Sequence, residues 1–222
     1  MIYSISAADK GCHTSMDPVD KAVLASLYAS ALEPAVAPYE RIRRRLPVSR
    51  ELFEDRIKAL AAKGLVEKDK EKLTFIGRDA IKVVLVGGVF DLIHPGHIHT
   101  LKAAKEIGDV LVVIIARTAT AQKIKKDRKI YHDESLRKEL VESLNFVDLA
   151  LIGREGTLYD TVEYVRPDVI ALGYDQAHSE KDVAENCKKR GLNVQVTRLS
   201  TPIPGSKSSK MKEELGDTIY GI

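Results

Sequence analysis

The chain has 222 residues, 44% of them hydrophobic and 30% charged, with a formal net charge of +3. That describes a soluble globular protein with room for one large domain or a medium domain plus a small one, and the charge is too small to argue nucleic-acid binding for the whole chain. No apolar run approaches the ~18 residues of a membrane span, the first 20 residues lack a signal-peptide pattern, and Cys12 and Cys187 make no metal-ligand pair, so the expectation is a cytoplasmic protein with no membrane partner.

Asp17-Pro18 ahead of Val19, Val23, Leu24, Leu27 and Tyr28 predicts a capped amphipathic helix. Residues 39–46 predict a second, stopped by Pro47. Ser49 caps a third, with Leu52, Phe53, Ile57 and Leu60 on one face and Gly64 as its stop. Residues 65–67 and 73–76 flank a charged tip at 68–72 and predict a β-hairpin. Three helices and a hairpin resemble a winged helix-turn-helix domain over residues 1–78, which makes DNA a partner class to test. Charge tempers it: this region holds 14 Lys+Arg and 11 Asp+Glu, and the third helix mixes Glu51, Glu54 and Asp55 with Arg50, Arg56, Lys58 and Lys63. A groove-reading helix usually presents a more one-sided basic face. Arg41, Arg43, Arg44 and Arg45 form the one basic run, which is ordinarily a solvated helix face.

From residue 81 short apolar runs alternate with helical patterns. Strands are expected at 81–86, 110–116, 149–152, 169–172 and 194–196, and helices at 97–107, 134–144, 158–165 and 180–190. Nearly continuous apolar strands are those of a parallel sheet covered on both faces, so residues 79–222 read as an α/β domain with a Rossmann-like, doubly wound parallel sheet. Ligands in such sheets sit beyond the carboxyl ends of the strands, which nominates residues 87–97, 117–131 and 173–176 as one site.

Within 87–97 the sequence is Gly-Gly-Val-Phe-Asp-Leu-Ile-His-Pro-Gly-His. Two glycines let the backbone turn sharply and approach a ligand. Pro95 suits a first helical position, where the free amides attract an anion. His94 and His97, three residues apart across the helix start, can both direct a ring nitrogen at one phosphate. Asp91 can fix a histidine or a cation. A zinc site is the rival reading, but His99 faces elsewhere on the helix and no Glu lies between the two histidines.

Gly88-Val89-Phe90-Asp91 with His94-Pro95-Gly96-His97 resembles the G-x-F-D…H-x-G-H signature of the cytidylyltransferase-like nucleotidyltransferases, and the likeness runs from about Ile81 to Leu215. The resemblance implies transfer of a nucleoside monophosphate from a nucleoside triphosphate to a phosphate-bearing acceptor, with pyrophosphate released and Mg2+ as cofactor. Ala104-Lys105 with Gly108-Asp109 resembles the family's first helix and its exit. Lys123, Lys125 and Lys126 fall on the family's phosphate-binding lysine loop; their ordinary reading is a solvated charged loop. Tyr131-His132 with Arg137 resembles a segment of the glycerol-phosphate cytidylyltransferases, and Gly173-Tyr174-Asp175-Gln176 resembles the L-G-Y-D-Q of archaeal FAD synthases, which transfer AMP to FMN. Ser206, Ser208 and Ser209 resemble the closing serine-rich helix start that holds the triphosphate, and otherwise read as a helix cap. One departure stands out. Several cytidylyltransferases carry R-T-x-G before that run, whereas this chain has Pro202-Ile203-Pro204-Gly205, leaving Arg198 as the nearest substitute.

The expected site therefore has His94, His97 and Lys126 in catalysis. Gly88, Val89, Phe90, Asp91, Lys123, Lys125, Arg137, Gly173, Tyr174, Asp175, Gln176, Ser206, Ser208 and Ser209 contact nucleotide, and no residue is a metal ligand. The expected reaction is AMP transfer from ATP to FMN. A CTP-dependent enzyme for glycerol 3-phosphate or another alcohol phosphate is the alternative, and a metabolite-sensing DNA-binding regulator is the second. Adenine and cytosine both offer an exocyclic amine, so residue chemistry leaves the base open. Family members are often dimers, so the resemblance also implies a homodimer.

Overall fold

The computed structural model describes residues 16–124, 130–174, 176 and 178–199. α1 (Pro18–Leu32) begins where the Asp17 carboxylate accepts the Val19 amide at 2.7 Å, with Pro18 in the first turn. α2 (Pro38–Arg43) and α3 (Arg50–Ala62) follow, the latter capped by Ser49 Oγ on the Leu52 amide at 3.1 Å. α3 ends in a Schellman motif: Gly64 takes a φ of 73°, and the Gly64 and Leu65 amides return to the Ala61 and Leu60 carbonyls.

The hairpin is shorter than its pattern suggests. It is closed by a Val66–Leu73 bridge and by the Glu67 amide on Lys72 O at 2.8 Å. Phe75 and Ile76, expected in its second strand, instead open α4 (Phe75–Asp79). Thr74 causes the change, because its Oγ1 accepts the Gly77 amide at 3.0 Å and caps a helix there. Gly77 also passes so close to the Leu65 carbonyl that a Cβ would sit 1.8 Å from its oxygen.

The remaining elements are β1 (Val83–Gly88), α5 (Pro95–Ile107), β2 (Val110–Ile115), α6 (Thr118–Ile124), α7 (Glu134–Glu142), β3 (Leu149–Ile152), α8 (Leu158–Val165), β4 (Val169–Leu172), α9 (Glu180–Lys189) and β5 (Gln195–Arg198). All five strands are parallel, in the order β3-β2-β1-β4-β5. This is the expected doubly wound sheet, and the strands fall where short apolar runs placed them. Alternation along β1 and β2 separates two cores. Val83, Leu85, Val110, Val112 and Ile114 face α8 and α9. Val84, Val86, Leu111, Val113 and Ile115 face α5 and α7.

The N-terminal helices do not have a core of their own. Val23, Leu24 and Leu27 of α1 and Phe53 of α3 belong to the same buried cluster as Val83, Val110 and Val162. Polar ties reinforce this at the amino edge of the sheet. Asp109, Asp148 and Asp168 each stand one residue before a strand, and each accepts a backbone amide from the neighbouring strand's start: Lys82 at 2.8 Å, Leu111 at 2.6 Å and Val83 at 2.6 Å respectively. Each also binds one cation of the N-terminal segment: Lys21 at 2.8 Å, Arg45 at 2.5 Å and Arg78 at 3.0 Å. Tyr28 Oη donates to Val165 O at 2.5 Å from the same side.

That arrangement accounts for the basic run. Arg41 is buried and donates to Ser30 Oγ and to Glu33, Arg45 is committed to Asp148 and Val147 O, and Arg43 pairs with Glu40. Arg44 lies 3.8 Å from Glu142. Arg41, Arg44 and Arg45 line a cleft of about 740 Å³ against Lys138, Glu139 and Glu142 of α7, so these charges face protein acids. The solvated-face reading thus holds for Arg43 and Arg44, which are exposed, and is corrected for Arg41 and Arg45, which are spent on protein acceptors.

Candidate active site

β1 leads straight into the glycine turn. Gly88 lies beneath the Phe90 ring, where a Cβ would meet two ring atoms at 2.6 and 2.7 Å. Phe90 itself takes a left-handed φ of 52°, a conformation that costs an L-residue about 1–2 kcal/mol. The turn buries the ring and sets it 5.2 Å from the ring of His97. Gly87 serves differently: a Cβ there would meet nothing within 4 Å, so its bareness leaves open space beside the strand end.

His94 is the N-cap position of α5, with Pro95 in the first turn. The His94 and His97 rings lie 3.9 Å apart, inclined by 30°. Both sit over the helix start, where unused backbone N–H groups and the positive end of the helix dipole favour an anion. The two imidazoles expected to act together are therefore brought together, at the place where a phosphate is best stabilised.

The sheet opens at the same spot. β1 pairs with β2 as far as Gly88↔Ile115, but with β4 only at Val84↔Val169 and Leu85↔Ile170. Past Leu85 the two strands part, at the point where the strand order reverses, and this is where doubly wound sheets take their ligands.

Two expected nucleotide contacts have a different role. Asp91 is buried, and its carboxylate accepts the Tyr131 amide at 3.0 Å and the His132 amide at 3.0 Å, while its carbonyl lies 3.0 Å from His132 Nδ1. Arg137 is fully buried and donates to His132 O at 3.0 Å, to Val89 O and Ala116 O at 2.8 Å, and to Thr118 Oγ1 at 3.2 Å. Desolvation lowers the Arg137 pKa, partly offset by Asp91 and Glu134. Four protein acceptors absorb its fork, so Arg137 ties the glycine turn to the β2 exit and the 131–132 segment rather than reaching a nucleotide. Glu134 completes this lattice by accepting from the Thr118 hydroxyl, a bond that lowers the Glu134 pKa. The sequence offered no sign of the Thr118–Glu134 or Asp91–His132 links, because their partners lie 16 and 41 residues apart.

Gln176 also departs from expectation. Its Nε2 donates to Gly87 O at 2.6 Å and its Oε1 accepts the Gly173 amide at 3.2 Å, so the side chain spans the crevice from β4 to β1 rather than presenting its amide to a base. Arg198, considered as a stand-in for a phosphate-binding arginine, donates instead to carbonyls of residues 173–178. Tyr174 is half-exposed on that loop. Val89 lies in the turn, with its carbonyl held by Arg137. Lys123 falls on α6, which follows β2 at the carboxyl edge. Lys125, Lys126, Asp175, Ser206, Ser208 and Ser209 lie outside the described residues, as does the 202–205 departure.

A family model described as cytidylyltransferase-like matches residues 85–214, more than half of the chain. The chain belongs to this family. The match includes the glycine turn, the histidine pair and the 173–176 loop, and leaves the N-terminal helices outside it. Among curated relatives, the FAD synthase of Aciduliprofundum boonei is 48% identical over 116 residues, covering 52% of this chain and 76% of that protein. The FAD synthase of Picrophilus torridus is 44% identical over 117 residues, covering 53% and 83%, and that of Pyrococcus horikoshii is 44% identical over 125 residues, covering 56% and 84%. Among solved structures, the crystal structure of the lipopolysaccharide core biosynthesis protein from Thermoplasma volcanium matches at 41% identity with a TM-score of 0.53, covering 55% of this chain and 99% of that one. As a member of this family with such relatives, the chain is a nucleotidyltransferase. No described helix is long and apolar enough to cross a membrane.

Proposed function

We propose that the chain is an FMN adenylyltransferase: it transfers AMP from ATP to FMN, giving FAD and pyrophosphate. The reading rests on the His94–His97 pair at the head of α5, beside the splayed β1–β4 crevice, in a chain similar to the FAD synthases named above. An FMN phosphate oxygen attacks the α-phosphorus in line. The new P–O bond forms as the α–β bridging bond breaks, and its electron pair leaves with pyrophosphate. An acceptor phosphate is already anionic near neutral pH, so no strong general base is required. Catalysis is then positioning and charge stabilisation. His94, His97 and the first-turn amides of α5 hold α- and β-phosphate oxygens as charge builds on them. Lys123, Lys125 and Lys126 would close over the triphosphate, and Ser206, Ser208 and Ser209 would bind its far end.

Mg2+ fits this scheme as a passenger of the nucleotide. The described residues include no group of three His, Cys, Asp or Glu side chains able to hold a metal ion, and Asp91 is engaged with backbone amides. Magnesium usually binds through substrate phosphates and water, and held there it would supply positive charge for the departing pyrophosphate. A pyrophosphate-release matrix crossing ATP and CTP with FMN, glycerol 3-phosphate and ethanolamine phosphate tests the assignment. ATP with FMN should be the productive pair. Product from CTP with an alcohol phosphate, and none from ATP with FMN, would reverse it.

A further inference from the structure

We propose that Arg198 is the positioning residue that sets nucleotide selectivity, by holding the carbonyls of Gly173, Gln176 and His178; the proposal rests on the nucleotidyl-transfer reading of the crevice. Arg198 is the last residue of β5, the edge strand beside β4. Its Nη1 donates to Gly173 O at 2.8 Å and to Gln176 O at 3.1 Å, and its Nη2 donates to His178 O at 2.5 Å. One planar fork thus holds three carbonyls beyond the end of β4. Gln176 makes the second attachment, from Gly173 N across to Gly87 O. The Gln176 amide closes the loop on Gly173 O at 3.2 Å.

Each trans peptide turned with its carbonyl toward Arg198 has its following N–H turned away from it. Holding the Gly173 carbonyl therefore also orients the N–H of Tyr174. With the Gln176 side chain spent on backbone, the proposal assigns base discrimination to the main-chain groups that Arg198 holds. Adenine and cytosine share an amine edge and differ in where ring size places it. A rigid donor–acceptor array can reject the wrong placement, whereas a loose loop adapts to both. Lysine cannot replace the fork, since a single ammonium cannot reproduce its planar spread of donors.

The test compares R198M and R198K with wild type in the full chain. The readouts are kcat and KM for ATP and CTP with FMN, binding of ATP and CTP by calorimetry, and hydrogen exchange of the Gly173 and Gln176 amides. In R198M we expect KM for ATP to rise at least tenfold, kcat to change by less than about threefold, the ATP-over-CTP preference to fall at least tenfold, and both amides to exchange faster while β1 and β2 amides do not. R198K should recover less than half of the lost preference, and it carries the same readouts if R198M fails to fold. Unchanged preference in both variants overturns the proposal, whether or not exchange rises, because a purely structural arginine would behave that way. Full recovery in R198K overturns it too, by showing that charge and not the fork matters. Should wild type make no FAD, the FMN assignment fails, while the binding and exchange measurements still decide the clamp.

Discussion

Gly88, Phe90 and His97 form a stack in which each residue sets the next. The bare Cα of Gly88 admits the Phe90 ring, the left-handed turn aims that ring, and the ring backs His97. Gly88→Ala puts a methyl about one ångström inside contact distance of an aromatic ring held by its backbone. We expect a loss of about 1–3 kcal/mol in stability and at least tenfold in turnover, read by denaturant titration and steady-state kinetics. His97→Ala separates binding from chemistry. Removing one preorganised donor to a developing charge typically costs about 3 kcal/mol, or ~100-fold in kcat. ATP affinity measured by calorimetry should change by far less, and a collapse of affinity with wild-type turnover would refute the transition-state role.

At the scale of elements, the turn after β1, the exit of β2 and the start of α7 are held as one unit by Arg137 and Asp91. These segments flank residues 125–129 in sequence, so under the proposed function a defect here would reach the site without touching substrate. Arg137→Met retains the buried volume and leaves three carbonyls short of a donor. Each buried unsatisfied group costs about 1–3 kcal/mol, so the variant should lose on the order of 3 kcal/mol or more in urea unfolding, with kcat reduced as well. Wild-type stability in this variant would mean that solvent reaches these carbonyls. Sequence reading made Arg137 a nucleotide contact, whereas its acceptors come from the turn after β1, the exit of β2, the start of α6 and the loop before α7, none of them legible from its neighbours in sequence.

Across the whole molecule, the N-terminal helices are docked by three aspartates that also close the amino ends of the strands, on the edge opposite the crevice. Burial works to raise the Asp109 pKa, but Lys21 and the Lys82 amide outweigh it and the net shift is below the ordinary 3.8. Burial likewise opposes the lowering of Glu33 below 4.5, which Arg41 and Lys138 impose across the α1–α7 junction. A carboxylate with a depressed folded-state pKa stabilises the fold above its unfolded pKa, and that contribution disappears as pH falls through the folded value. Urea midpoints should therefore be flat from pH 7 to 5 and decline below about pH 4. Asp109→Asn should be less stable at pH 7 and decline less steeply on acidification; equal slopes would show that this contact is not linked to proton binding. Because α1 shares its apolar cluster with the sheet, Leu24→Ala should cost about 2–5 kcal/mol and lower a single transition for the entire chain rather than for a separable part.

Local physics made the sheet readable from the chain alone. Short apolar runs separated by capped helices specify strands and helices by periodicity, so β3, β4 and α8 fall on their expected residues and the other long elements differ only at their ends. The glycine turn and the histidine pair were readable for the same reason: eleven consecutive residues carry the turn, the helix start and the donors. Long-range acceptors were not. Whether Gln176 faces a base or Gly87, whether Arg198 meets a phosphate or three carbonyls, and whether Arg45 faces solvent or Asp148 all depend on partners 20 to 103 positions away. A polar side chain in sequence is a set of unspent hydrogen bonds, and only the tertiary structure decides where a buried one spends them, because burial without a partner costs more than any local preference can return.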